Sequence, residues 1–185
     1  ANRDIRFNAT VQYDQGVYFG KRLETGAGYD GNGQLVKGVD IAPTTFVTAT
    51  GYYLCKGMDT GGELLYSWEG TQKSGMNIPL IRYAEVLLGY AEAENEASGP
   101  VPSVYNAVNE VRARAGLPPL QAGLSKEDMR LKIRKERQVE LAFEYTFYFD
   151  CLRWKDESLF TQDAMVANIL YDYETNPETG EVLTD

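Results

Sequence analysis

The sequence predicts a mainly helical fold, in which a helix pair and a long third helix are accompanied by short strands and long loops. Apolar residues recur at three-and-four spacing over residues 77–155, and glycine and proline punctuate that stretch. Residues 20–45 and 57–75 are instead rich in glycine and small polar residues, as loops are. We therefore expect one compact unit with three regions. These are a strand and loop region over residues 1–76, a helical scaffold over residues 77–155, and a C-terminal helix and turn segment over residues 156–185.

The first region carries two stretches with strand-like patterns. Residues 3–19 place Ile5, Phe7, Ala9 and Val11 on one side of a pleat, which predicts a strand. The turn residues Asp14-Gln15-Gly16 are expected to fold that strand back on itself. A second β-like stretch runs over residues 46–54.

The helix pair is defined by its start and stop signals. Pro79 suits the first turn of a helix, and Ser98-Gly99-Pro100 ends it. The apolar stripe of this first helix consists of Leu80, Tyr83, Ala84, Leu87, Leu88, Ala91 and Asn95, and Gly89 is expected to permit close helix contact. Ser103 is expected to cap the second helix, and Gly116 to end it. Its stripe consists of Val104, Ala107, Val108, Val111 and Ala115. The pair spans about 37 residues, close to the tetratricopeptide period of 34.

The third helix places acidic residues in its apolar stripe. Ser125 is its predicted N-cap, with Asp128 at the capping-box position. At 100° per residue one arc contains Met129, Ile133, Glu136, Val139, Glu140, Phe143 and Phe147. A buried carboxylate needs a cation, and the candidate partners are Arg82, Arg112, Arg114 and Arg153. We extend this interpretation to Glu85 and Glu92. The alternative is that Glu136 and Glu140 are the paired carboxylates of a glycosidase.

Composition excludes several function classes. The net charge of −9 argues against a nucleic-acid partner, because phosphate binding depends on Lys and Arg. The absence of histidine removes the usual general base and the commonest zinc ligand. The sequence predicts no catalytic residues, no metal site and no cofactor. Cys55 and Cys151 are too far apart for a metal motif, and both are expected to behave as small hydrophobic residues.

The helical region also resembles a known family. The segments Asn77-Ile-Pro-Leu-Ile-Arg-Tyr-Ala-Glu, Val111-Arg-Ala-Arg-Ala-Gly-Leu-Pro, Arg134-Lys-Glu-Arg-Gln-Val-Glu-Leu-Ala-Phe-Glu and Phe149-Asp-Cys-Leu-Arg-Trp are similar to the C-terminal part of the SusD/RagB family. The resemblance implies a fragment of a longer protein, whose missing N-terminal half covers the open face of the helix pair. It also implies non-catalytic capture of a glycan or other nutrient and its delivery to a SusC-like TonB-dependent transporter. The implied location is the extracellular face of the outer membrane, with a lipid anchor on an absent N-terminal segment.

Aromatic residues in polar loops are the candidate ligand contacts, because sugars stack on aromatic rings. Trp68, Tyr66 and Tyr29 are the predicted binding residues, and Tyr18 and Tyr52 fit the same description. The alternative is that these rings fill the core beneath long loops. Asp30-Gly-Asn-Gly-Gln superficially suggests a calcium loop but lacks the required glycine and final glutamate, so an exposed turn is expected. At the level of function, the alternatives are a helical-repeat module that binds a protein and no sugar, and a glycosidase.

Overall fold

The computed structural model describes residues 3–18, 20–29, 32, 34–40, 48, 50–57, 79–159 and 170–172. Within them the helices are α1 (Arg6–Thr10), α2 (Tyr83–Ser98), α3 (Pro102–Arg114), α4 (Lys126–Glu140), α5 (Thr146–Trp154) and a 3-10 turn (Glu157–Leu159). The strands are β1 (Val11–Gln12), β2 (Val17–Tyr18), β3 (Lys21–Arg22), β4 (Ala27–Tyr29), β5 (Leu35–Lys37), β6 (Tyr53–Leu54) and β7 (Leu170–Asp172). The mainly helical fold class is confirmed.

The chain forms two compact units. The first comprises Ala1–Asn8 and Asn77–Gln162, and the second comprises Ala9–Met76 and Asp163–Asp185. The three predicted regions are consecutive along the chain, whereas each of these units combines two separate stretches. The three-region division stays a prediction.

The core of the first unit lies where α2 packs against α3 and α4. Its buried residues are Ala84, Leu88, Ala91, Val104, Ala107, Val108, Val111, Met129 and Ile133. These residues come from the stripes predicted for the three helices, so the periodicity identified the inward faces. Asn95 is also fully buried, and its amide donates to the Lys126 carbonyl at 3.0 Å. That bond ties the end of α2 to the beginning of α4.

The beginning of α2 differs from the prediction. The helix starts at Tyr83, and Pro79 lies before it rather than in its first turn. Arg82, the N-cap residue, is extended, and its side chain crosses to α4 and the turn beyond. Leu80 and Tyr83 were therefore wrongly placed on the inward stripe, because their side chains are 91% and 66% exposed. Gly89 does not mediate close helix contact either, since a Cβ added there meets nothing within 4 Å.

The caps of α3 and α4 show how local chemistry sets helix ends. Pro102 occupies the first turn of α3 and Val101 precedes it, so the predicted cap at Ser103 is wrong. Gly116 follows the helix with φ of 65°, as expected of a C-terminal glycine. The Ser125 cap of α4 is confirmed, because its hydroxyl accepts the Asp128 backbone N–H at 3.0 Å.

The long third helix stops at Glu140, and a sharp turn separates it from α5. Phe143 and Tyr145 in this turn have φ of 62° and 63°, which is the left-handed region. The predicted arc that continued through Phe143 and Phe147 is therefore wrong beyond Glu140. Phe143 is 59% exposed.

The start of the chain is helical where the alternation predicted a strand. Asp4 accounts for this, because its side chain accepts the Arg6 backbone N–H at 2.9 Å and its carbonyl accepts that of Phe7 at 3.0 Å. These bonds satisfy donors that a helix start leaves free. Within the described part of residues 3–19, the strands are the two-residue β1 and β2, and β1 pairs with β6 rather than with β2.

The second unit is built from short strands around a buried carboxylate. β2 and β3 form a hairpin, while β4 pairs antiparallel with β5 and parallel with β7. Asp14 is buried, and its Oδ1 accepts the backbone N–H groups of Thr25 at 2.8 Å and Gly26 at 2.9 Å. This carboxylate links the turn before β2 to the segment that leads into β4. Leu170, within the predicted C-terminal helix and turn segment, begins the strand β7.

Candidate functional site

The two carboxylates in the stripe of α4 are buried and bound by arginines. Glu136 accepts from Arg6 at 2.7 Å and from Arg112 at 2.8 Å. Glu140, whose side chain is 1% exposed, accepts from Arg6, Arg82 and Arg114. The predicted ion pairing is confirmed.

Among the residues that the structure describes, this cluster is balanced in charge. Glu144 accepts two hydrogen bonds from Arg82, and Asp4 accepts two from the Arg6 side chain. Four carboxylates thus meet four guanidinium groups, from Arg6, Arg82, Arg112 and Arg114. Balance of this kind compensates the loss of water around each buried charge.

Arg6 was missed by the sequence analysis, because 130 residues separate it from Glu136. Burial lowers the pKa of its guanidinium, but hydrogen bonds to Asp4, Glu140 and Glu136 outweigh that effect and raise the pKa overall. Arg6 is therefore a fixed cation. It ties α1 to α4 at the centre of the cluster.

The burial of Glu136 and Glu140 contradicts the glycosidase interpretation of this pair. A general acid or nucleophile must reach the scissile bond from an open cleft. Glu136 is 5% exposed and Glu140 is 2% exposed, and arginines bind both carboxylates. Their separation of one helical turn therefore reflects packing.

A second cluster joins α2, α4 and α5. Arg137 donates two hydrogen bonds to Asp150, at 2.9 and 3.0 Å, and both side chains are 6% exposed. Arg153 also binds Asp150, and it binds Glu92 through both terminal nitrogens. The hydrogen bonds that Arg153 donates to Glu92 raise the pKa of the Arg153 guanidinium above its usual value. The prediction that Arg153 pairs with Glu136 or Glu140 is therefore wrong. Arg153 pairs with Glu92 and Asp150 instead.

Trp154 extends this cluster. Its indole N–H donates to Glu92 at 2.6 Å, and the guanidinium carbons of Arg134 and Arg153 lie 4.7 and 5.0 Å from the centre of its ring. Cation–π contacts at these distances hold the ring between polar groups. Glu92 is therefore structural, as predicted. The Glu85 side chain has no ion pair or hydrogen bond with any residue that the structure describes, although its backbone N–H donates to the Arg82 carbonyl. The predicted ion pairing is therefore wrong for Glu85.

An open depression lies beside this second cluster. It has a volume of about 440 Å³ and is lined by Glu85, Gly89, Glu92, Ala93, Glu96, Arg137 and Arg153. Arg130 binds Glu96 through two hydrogen bonds of 2.6 Å, so most of the lining charges are already paired. Within the described ranges, no three His, Cys, Asp or Glu side chains could together hold a metal ion.

The predicted ligand residues have separate outcomes. Trp68 and Tyr66 lie outside the described residues. Tyr29 is the last residue of β4, where its backbone pairs with Leu35 and Asp172. These three assignments stay predictions.

Tyr18 has a structural role. Its ring centre lies 5.3 Å from that of Tyr53, and its hydroxyl donates to the Leu54 carbonyl at 2.9 Å. The Tyr53 hydroxyl in turn donates to the Asp40 carbonyl at 3.2 Å. These contacts fasten β2 and β6 and favour the core interpretation for Tyr18.

Both cysteines are thiols, and no disulfide joins them. Cys151 is 1% exposed on α5, as expected of a small hydrophobic residue, whereas Cys55 is half-buried. Burial raises the pKa of each thiol. Both thiols are therefore protonated near neutral pH, and Cys151 packs as an apolar side chain.

Comparison with known proteins identifies the family. A sequence model of the SusD family matches residues 1–182. The chain belongs to the SusD family. The matched residues include the helices and both arginine–carboxylate clusters.

Individual relatives agree with this assignment. The chain is 40% identical over 93 residues to SusD-like protein P2 of Formosa agariphila, covering 46% of this chain and 18% of that protein. It is similar to the crystal structure of a SusD-like carbohydrate-binding protein from Bacteroides fragilis, with a TM-score of 0.68 and 28% identity, over 83% of this chain and 29% of that one. A second SusD-like structure from B. fragilis gives a TM-score of 0.65 and 30% identity, over 84% of this chain and 29% of that one. The chain thus spans less than a third of each of these relatives.

Proposed function

We propose that this chain is part of a protein that binds a glycan or another nutrient at the cell surface without cleaving it. Family membership is the observation that carries the proposal. It is supported by the similarity to a B. fragilis protein described as carbohydrate-binding. The net charge of −9 is compatible with a neutral saccharide, which carries no charge to be repelled.

The geometry supports a scaffold role for the helical unit. Glu136 and Glu140, which gave the glycosidase alternative its acid and base, are bound to arginines in the core. In the second cluster, the carboxylates of Glu92 and Asp150 likewise accept hydrogen bonds from arginines and join α2, α4 and α5. We propose that the saccharide is bound by aromatic residues of the second unit, namely Trp68, Tyr66 and Tyr29.

We further propose that the complete protein delivers its ligand to a SusC-like TonB-dependent transporter. It would act at the extracellular face of the outer membrane, held by a lipid on an N-terminal segment. None of the helices in the described residues is long and apolar enough to span a bilayer. Affinity purification of the tagged protein from its own cells tests the delivery proposal. We expect a SusC-like transporter to copurify, and its absence from membranes that contain both proteins contradicts delivery.

Titration calorimetry against a panel of neutral polysaccharides tests ligand binding. We expect at least one polysaccharide to bind, and we expect Trp68→Ala to weaken that binding by about tenfold, since one stacking platform is lost. Tyr90→Ala, at an exposed aromatic residue on α2, is the matched control and should leave affinity unchanged. Unchanged affinity in Trp68→Ala removes Trp68 from the site. If no saccharide binds, the alternative of a helical-repeat module that binds only protein is favoured.

A further inference from the structure

Arg134 on α4 lies against the indole of Trp154, and it has no carboxylate partner among the residues that the structure describes. Its guanidinium carbon is 4.7 Å from the centre of the ring. Its Nε atom is buried, and no hydrogen-bond acceptor for it occurs in the described part of the chain. A buried donor without an acceptor is rare in native proteins, because it loses its bonds to water and gains none in return. Arg134 therefore needs an acceptor from outside the described residues.

The other arginines of the helical unit indicate which acceptor suits this donor. Arg82, Arg130 and Arg137 each bind one carboxylate through Nε and Nη2 together, at distances of 2.6–3.0 Å. Arg6 binds a carboxylate through the same two nitrogens. This side-on pairing matches the planar fork of a guanidinium to the two oxygens of a carboxylate. Arg134 has the same donors, so a carboxylate is the acceptor that fits them best.

The charges of the second cluster favour an anion at this position. The carboxylates of Glu92 and Asp150 accept hydrogen bonds from Arg137 and Arg153. Arg134 adds a third guanidinium beside the same indole, so three cations face two anions among the described residues. The net charge of −9 opposes anions in general, but charges farther away than about 8 Å are largely screened at physiological ionic strength. The local excess of positive charge therefore decides the preference.

Glu96 is not the missing acceptor, although it lies on the facing helix α2. Arg130 already binds both of its oxygens at 2.6 Å. The acceptor must also be able to reach Arg134, whose side chain as a whole is half-buried while its Nε is shielded from water. An incoming carboxylate therefore has to turn the guanidinium about its flexible side chain. Such a turn changes the contact between the guanidinium and the indole of Trp154.

We infer that Arg134 is a binding position for the carboxylate group of a small ligand. Nε and Nη2 donate to the two carboxylate oxygens, in the same way as in the four pairs described above. A carboxylate of this kind occurs on a uronic acid of a glycan and on a free organic acid. The position is separate from the aromatic residues proposed to bind the saccharide, and it does not rest on that proposal.

Tryptophan fluorescence tests the inference, because Trp154 is one of two tryptophans in the sequence. In a Trp68→Phe background it is the only one left. This parent chain is titrated with glucuronate, acetate and glucose, with sodium chloride holding the ionic strength constant. Arg134→Gln removes the guanidinium, and Arg134→Lys keeps the charge without the planar fork. Lys132→Gln, at an exposed residue of the same helix, controls for the loss of one positive charge. Melting curves show whether each variant is folded.

We expect glucuronate and acetate to change the Trp154 emission saturably, and glucose to leave it unchanged. Arg134→Gln should weaken binding by about tenfold or more, since two charge-assisted hydrogen bonds are lost, and Arg134→Lys should not restore it. Lys132→Gln should change the affinity by less than about twofold, because its charge is exposed and screened. Tighter binding of glucuronate than of acetate identifies a uronic acid as the ligand, and equal binding identifies the carboxylate alone; both results uphold the inference.

Three results would overturn the inference. They are the lack of a saturable response to both carboxylates, an equal response to glucose, and equal weakening by Arg134→Gln and Lys132→Gln. If neither carboxylate binds and Arg134→Gln also lowers the melting temperature by several degrees, the acceptor is a group of this chain outside the described residues. The comparison of glucuronate with glucose uses the parent chain, so it decides the matter whether or not the variants fold. Saccharide binding is measured by calorimetry with Arg134 intact, so failure here leaves that proposal standing.

Discussion

Arg82 and Glu144 are 62 residues apart in the chain, yet two hydrogen bonds join them side by side. The contact with Glu144 raises the pKa of Arg82, so the charge on the guanidinium is secure. Arg82 also donates to the carboxylate and the carbonyl of Glu140, at the end of α4. One extended N-cap residue therefore fastens the start of α2 to the turn between α4 and α5.

Glu140→Gln should strongly destabilise the protein. The substitution leaves Arg6 and Arg82 facing a neutral amide in a buried site, and removing one partner of such a pair typically costs about 3–5 kcal/mol. Urea unfolding gives the change in the free energy of unfolding. Glu127→Gln is the control on the same helix, with a side chain that is 71% exposed, and should change stability by less than about 1 kcal/mol. Equal effects of the two substitutions would contradict the buried cluster.

Replacing glycine by alanine should have opposite effects inside α2 and just beyond its end. Gly89 lies inside the helix with open space around its Cα, so Gly89→Ala should raise stability by about 0.5–1 kcal/mol. Gly99, just beyond the helix, has φ of 79°, so Gly99→Ala should lower stability by about 1 kcal/mol. Thermal melting distinguishes them. A destabilised Gly89→Ala variant would show that a neighbour occupies the open depression.

Relief of backbone strain should stabilise the turn after α4. Tyr145→Gly removes the side chain that opposes a φ of 63°, and should raise the free energy of unfolding by about 1 kcal/mol. Tyr145→Ala removes the ring but keeps the strain, so it should be less stable than Tyr145→Gly. If the two variants unfold at the same urea concentration, the left-handed conformation is wrong.

Stability should fall in acid. The hydrogen bond from Arg6 holds the pKa of Asp4 below its usual value, and Arg130 does the same for Glu96. Folded-state pKa values below the unfolded ones mean that the unfolded chain binds more protons. The stability that these two carboxylates contribute is therefore fully present above about pH 5, and it is lost as the pH falls through their folded-state pKa values. Urea unfolding between pH 3 and pH 7 measures this slope. Asp4→Asn and Glu96→Gln should each flatten it, and an unchanged slope in both variants would contradict the assignment.

The sequence was informative wherever local periodicity decided the structure. The inward residues of α2, α3 and α4 and the Ser125 cap followed from spacing and capping chemistry. Helix ends were harder to predict from the sequence. Tertiary contacts hold Arg82 extended before α2, and Arg82 and Glu144 hold the turn at Phe143. No local sequence pattern predicts such contacts.

The arginine–carboxylate clusters illustrate the same limit. The sequence indicated that Glu136 and Glu140 need cations, and Arg82, Arg112 and Arg114 were among the partners named. Arg6 was not, because it reaches α4 from the other end of the chain. Pairing between distant segments depends on the fold, so it becomes visible only once the fold is known.

The central claim is capture without cleavage, and one assay of bound and released sugar tests it directly. A neutral polysaccharide that binds by calorimetry is incubated with the protein to saturation, and new reducing ends are counted over several days. Capture without cleavage predicts saturable binding with no reducing ends above a protein-free control. Accumulation of oligosaccharides in proportion to protein concentration would contradict it.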